Sequence, residues 1–123
     1  HWVAGGRIAS RISWARTISV DSDKALLADL LYDVIGTSVA SQESVVVSFA
    51  LAQQVAIGEM NAFEALCMAA SLGGDTDTIA AILGAMLGAC LGLESWPVAM
   101  IDRVKTVNGL ALEPLVQGLL ALR

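Results

Sequence analysis

Apolar residues recur every three or four positions along almost the whole chain, the spacing that places them on one face of a helix. Ile8, Ile12, Ala15 and Ile18 form the first such stripe, with Arg7, Arg11 and Arg16 between them. The stretch DSDKALLADLLYDVIG opens on cap-type residues, carries Leu26, Leu27, Leu30, Leu31 and Val34, and stops at Gly36. TSVASQ then reads as a loop, with Ser41 or Ser44 capping a helix that runs to about Ile57, just before Gly58. Asn61 and Glu64 have capping-box spacing, and their helix carries Phe63, Leu66, Cys67 and Ala70 before Gly73 and Gly74 end it.

An apolar helix follows, entered through Asp75-Thr76-Asp77-Thr78. Pro97 suits the first turn of a further helix that reaches about Val107 and breaks at Asn108-Gly109, and Pro114 begins a last short one. The run Val45–Val47 is the one β-like patch, and it sits inside a helical pattern. The pattern predicts seven helices, an all-α fold, with no long linker and no repeat.

Composition changes the picture in one respect. Of the 123 residues, 56% are hydrophobic and 15% charged, against about 45–50% and 25% in ordinary soluble domains. A small domain has much surface to cover with polar groups, so the chain reads as part of a larger core or as a subunit with an extensive partner surface. A start at His1, without an initiator Met or a signal-peptide pattern, fits a fragment or a processed chain. The run from Ile79 to Leu93 is shorter than the roughly 20 residues a membrane span needs. Gly84, Gly88 and Gly92 lay a smooth stripe along it, where another backbone can approach. The net charge of −5 and scattered basic residues argue against nucleic-acid binding. Cys67 and Cys90 lack CxxC spacing and read as buried, reduced thiols, which suits the cytoplasm.

The candidate chemistry lies in SLGGDTDTIAAILGAMLGACLG, residues 71–92. Two glycines permit a sharp turn. On a regular helix Asp75 and Asp77 would point about 200° apart. They converge only if Asp75 lies in the turn and Asp77 in the first helical turn, where free N–H groups and the helix dipole favour anionic oxygen. With Thr78 they make a hard, all-oxygen donor set suited to Mg²⁺, Mn²⁺ or Ca²⁺. Three ligands are half of the roughly six such an ion takes. The competing reading is a double N-cap, with Asp75 or Thr76 capping the helix and Asp77 answering its dipole.

LGGDTDTIAAILGAMLGACLG closely resembles the C-terminal signature of the ADP-ribosylglycohydrolases, including their crystallin-J1-like members. GTSVASQESVVVSFALA, residues 36–52, resembles the loop and helix upstream of that signature, and GLESWP, residues 92–97, the segment after it. The likeness covers roughly residues 35–97 in order and spacing.

It implies an all-α, orthogonal helical bundle, present here as the C-terminal part of a single domain spanning residues 1–123. It also implies two Mg²⁺ ions, Mn²⁺ being possible, and hydrolysis of the glycosidic bond of ADP-ribose attached to a protein side chain or small molecule. By position, Asp75, Asp77 and Thr78 would ligate metal, with Asp77 the bridge, and catalytic roles fall to Asp75 and Asp77. Thr37, Ser38 and Val39 would flank the ligand, Val39 as an apolar contact.

The family's N-terminal ligand motifs, a GDA-type element and a threonine followed by paired aspartates, are not in these residues, and Val46 stands where proline is common. An N-terminal segment or companion chain is therefore an expected partner, beside ADP-ribose or an ADP-ribosylated substrate, and the chain alone is expected to be inactive. No nucleic-acid or membrane partner is expected. A crystallin-like structural protein and an ADP-ribose-binding module are the alternatives.

Glu43 reads as a helix-dipole residue, with a reach into the cleft as the alternative, and the methionines as core or interface fillers. The tryptophans read as packing residues, with stacking on adenine the alternative for Trp2, Trp14 and Trp96.

Overall fold

A computed structural model describes residues 4–20 and 22–122, so His1 and Trp2 lie outside the described residues. Those residues form α1 (Ala4–Ser19), α2 (Lys24–Asp29), α3 (Ser41–Ala56), α4 (Ala62–Ser71), α5 (Thr76–Leu91), α6 (Val98–Asn108) and α7 (Glu113–Leu120). There is no strand among them, and the Val45–Val47 patch lies within α3. No helix of the described residues is long and apolar enough to cross a membrane.

The core is a bundle of the first five helices centred on α3, which packs on α1, α4 and α5. Its buried face carries Val46, Val47, Ala50 and Leu51. Opposite stand Ala15 of α1, Ala62, Ala65 and Ala69 of α4, and Ile79, Leu83 and Leu87 of α5. Alanines on α4 leave room for the larger side chains of α5, which recur every fourth residue and therefore share a face. Two polar groups cross this core with their hydrogen bonds met, as burial requires. The Gln54 amide donates to the Ser19 carbonyl at 2.7 Å, and the Ser48 hydroxyl lies 2.8 Å from the Ser44 carbonyl and 3.2 Å from that of Ile79.

Local signals set several boundaries. The Asn61–Glu64 capping box is complete: the Glu64 N–H donates to Asn61 Oδ1 at 2.9 Å and the Asn61 N–H to Glu64 Oε2 at 3.0 Å. Asp23 caps α2 by accepting the Leu26 N–H at 2.8 Å. Past Asp29 the helix continues as a π-helical segment, Leu30–Ile35, that ends at Gly36.

Several expectations need correction. The cap residue of α3 is Ala40, without a side-chain cap bond, and neither Ser41 nor Ser44 fills that role. The Ser44 hydroxyl instead donates to the Ala40 carbonyl within the helix. Pro97 is the residue just before α6 rather than in its first turn. Cys67 and Cys90 are exposed free thiols, not buried ones. Cys67 falls between the inward positions Ala65 and Ala69, and Cys90 lies past Leu87, the last buried residue of α5.

The glycine stripe receives side chains rather than a backbone. A Cβ on Gly84 would meet Leu66 Cδ1 at 3.5 Å, one on Gly88 would meet Trp96 Nε1 at 3.9 Å, and Gly92 lies beyond the helix. Trp96 packs against the core and Trp14 is exposed at its edge. Met60 is buried, Met68 and Met86 are half-buried, and Met100 is exposed.

Beyond Trp96 the character changes. Neither α6 nor α7 has a buried residue. Val98 is 71% exposed and Leu122 84%. An apolar groove of about 280 Å³ runs between Leu93 and the α6–α7 pair, lined also by Leu112 and Val116.

Candidate active site

Two loops meet at one end of the bundle. The first, residues 36–40, is delivered by the π-helical segment and feeds α3; the second, residues 72–75, joins α4 to α5. Gly73 and Gly74 have φ of 89° and 73°, a left-handed region open to glycine without strain. The second loop is thereby pressed against the first. A Cβ on Gly74 would fall 2.3 Å from the Thr37 carbonyl oxygen and 2.4 Å from its Oγ1. The Asp75 N–H donates to the Thr37 carbonyl at 2.7 Å. Thr37 is buried in this junction, while Ser38 is exposed and Val39 is 82% exposed. Tyr32, on the π-helical segment, lies over Gly73.

Asp75 immediately precedes α5 and makes no side-chain cap bond. Asp77 is the second residue of the helix. The carboxyl of Asp77 is held below the ordinary carboxylate value, first by a hydrogen bond with the Asp75 side chain, then by the N–H groups of Thr78 and of Asp77 itself. The two acids therefore face each other at the helix N-terminus, as expected if Asp75 sits in the turn and Asp77 on the first helical turn. Thr78 is exposed one position further. The ion pairs Lys24–Glu64 and Lys105–Glu113 lie elsewhere.

No group of three or more His, Cys, Asp or Glu side chains gathers into a metal cluster among the described residues. Paired acids and a neighbouring hydroxyl suit a hard divalent cation, and they supply only part of its shell.

Glu43 does more than answer the helix dipole. Its carboxylate accepts the Ser38 N–H at 2.9 Å and also engages the Ser38 hydroxyl, which with lesser help from Arg11 lowers its pKa. The sequence offers it as a first-turn acid able to reach the cleft, without naming Ser38 as its partner. Its position three residues into α3, just after the Ser38 loop, is the signal the sequence offers.

A family model described as ADP-ribosylglycohydrolase matches residues 2–123. Among curated proteins, the chain is 36% identical over 104 residues to an uncharacterized protein of Escherichia coli K12, YegU. That alignment covers 84% of this chain and 30% of the relative, so the chain spans about a third of that protein's length. No solved structure matches the chain.

Proposed function

The chain belongs to the ADP-ribosylglycohydrolase family, a glycohydrolase family, and we propose that it carries one side of the active site of a hydrolase that frees ADP-ribose from protein side chains or small molecules. The observation behind this reading is the face-to-face placement of Asp75 and Asp77 against the Thr37–Val39 loop.

In this proposal Asp75, Asp77 and Thr78 hold Mg²⁺ or Mn²⁺ with further oxygen ligands from a segment outside this chain. Bound there, the ions would supply Lewis-acid chemistry, orienting ribose hydroxyls and lowering the pKa of a water. Asp77, whose carboxyl is held below the ordinary carboxylate value, is fitted to hold positive charge at the helix N-terminus. Its negative charge stabilises the oxocarbenium character that develops at C1″ as the glycosidic bond breaks. Val39 offers an apolar edge to the ligand, and the buried Thr37 ties that edge to the acid turn. Fixing the anomeric carbon against the incoming water accounts for much of the rate in such a site.

The missing ligands and the open face of α6 and α7 point the same way. We read that face as the seat of the rest of the protein, since an apolar surface of this extent marks an interaction site.

The test is release of ADP-ribose from ADP-ribosylated peptide by the full-length protein carrying Asp75→Asn or Asp77→Asn. Turnover should fall by about two orders of magnitude or more, the size seen when positioned electrostatic groups are lost. Undiminished turnover would overturn the proposal. Parent protein that binds ADP-ribose without releasing it from any conjugate would make the site a binding module.

A further inference from the structure

The loop that carries Thr37, Ser38 and Val39 has an unusual number of anchors. Glu43 is the third residue of α3, the position from which a glutamate ordinarily reaches back to the N–H of the cap residue. Here the cap is Ala40, and the carboxylate passes it to take the Ser38 N–H instead. To arrive there it lies over Gly36: a Cβ on Gly36 would be 2.5 Å from Glu43 Oε2 and 2.6 Å from its Cδ. Gly36 has φ of 91°, so glycine is required both for the turn and for the passage of the acid.

Arg11, from α1, grips the two ends of the same loop. Its Nε–H donates to the Gln42 carbonyl and its Nη2–H to the Ile35 carbonyl, each at 2.9 Å. The planar guanidinium makes both bonds at once, which a lysine ammonium on a flexible stem does not reproduce. On the third side stands the bond from the Asp75 N–H to the Thr37 carbonyl. None of these anchors uses the Val39 side chain, which is held out in solvent. Rigid support for an exposed apolar residue does nothing for the core.

We propose that Glu43 and Arg11 are positioning residues that hold the Thr37–Val39 loop in register with the acid turn, making the two loops one rigid seat for ADP-ribose. This rests on the functional reading above, in which that loop faces the ligand. Neither residue holds the cation; each acts through the loop.

The experiment uses the full-length protein and two probes, free ADP-ribose and Mn²⁺ alone. Glu43→Ala should weaken ADP-ribose binding by about tenfold or more, the size of one charge-assisted hydrogen bond, while Mn²⁺ affinity measured without nucleotide stays as in the parent. Glu43→Gln keeps an oxygen acceptor for the Ser38 N–H and should restore most of the binding. Arg11→Lys should fall between the two. A purely dipolar role predicts the reverse for Gln, which has no charge.

Amide exchange supplies a readout free of any ligand: exchange at Ser38 and Asp75 should quicken in Glu43→Ala, with Val47 and Leu83 unchanged. Unchanged exchange at Ser38 and Asp75, or a Gln variant as weak as Ala, would overturn the positioning role. Faster exchange in Glu43→Ala, with a parent protein that binds no ADP-ribose, would retain the clasp and sink the functional reading instead.

Discussion

Helices α5 and α7 are both dominated by apolar residues, yet α5 buries Ile79, Leu83 and Leu87 completely or nearly so and α7 buries nothing. The difference is the partner. α5 lies against α3 and α4, whose small residues leave a surface for it, and α6 and α7 have no such neighbour among the described residues. Apolar content thus sets what a helix can bury, and a covering element decides whether it does. The excess of hydrophobic residues in the composition is resolved the same way. The first five helices make an ordinary core, and most of the exposed large apolar residues lie from Leu93 onward.

The sharpest way to break this contrast is one truncation on each side. Leu83→Ala should destabilise the chain by about 2–5 kcal/mol, the cost of a cavity in a packed core. Leu119→Ala in the same chain should stay within about 0.5 kcal/mol of the parent. Denaturant unfolding measures both. In the full-length protein Leu119→Ala should become costly, by about 2 kcal/mol or more, if the rest of the polypeptide covers that face. A neutral result there would mean that the face is not an internal interface.

A second pair compares glycines of like backbone angle. Gly74→Ala should cost about 2–4 kcal/mol, because the added Cβ meets the Thr37 backbone and the left-handed angle is strained as well. Gly109→Ala, at the end of α6 with nothing within 4 Å, should carry only the backbone cost of about 1–2 kcal/mol. Thermal unfolding of the two variants separates crowding from strain.

The smallest effects are electrostatic. Glu43 and Glu113 both have lowered pKa values, one through Ser38 and the other through Lys105. A lowered value in the folded state means that each contribution is in force above the ordinary glutamate value of 4.5 and is lost as pH falls through the lowered one. Acidification below about 4.5 should therefore loosen the Ser38 loop, seen as faster exchange of its amide. High salt should erase the exposed Lys105–Glu113 contribution and leave the Glu43–Ser38 hydrogen bond largely in place.

What was legible in the sequence follows the range of the interactions. The capping box at Asn61 and the helix stops at Gly36 and Gly109 depend on neighbours a few residues apart, and they stand where the pattern puts them. The all-α class followed from the same periodicity. The convergence of Asp75 and Asp77 was readable as a condition, that the first lie in the turn and the second on the helix, and the turn glycines made it attainable.

Burial was harder to read. Cys67 and Cys90 sit in apolar stretches, and only the arrangement of α3, α4 and α5 determines which side of each helix is inside. The open face of α6 and α7 was invisible for the same reason. The reach of Glu43 past Ala40 to Ser38 is local but follows no periodic pattern, and the bond from the Asp75 N–H to the Thr37 carbonyl joins two loops far apart in the chain, which periodicity does not encode.

The central claim is that Asp75 and Asp77 form part of a cation site. Electron paramagnetic resonance titration of Mn²⁺ into the full-length protein tests it most directly, with the double variant Asp75→Asn/Asp77→Asn beside Asp33→Asn, an exposed acid of the π-helical segment. The account predicts that the double variant loses more than about a hundredfold in Mn²⁺ affinity, beyond what altering the surroundings of a ligand costs, and that Asp33→Asn binds as the parent does. Equal Mn²⁺ affinity in all three proteins would contradict it.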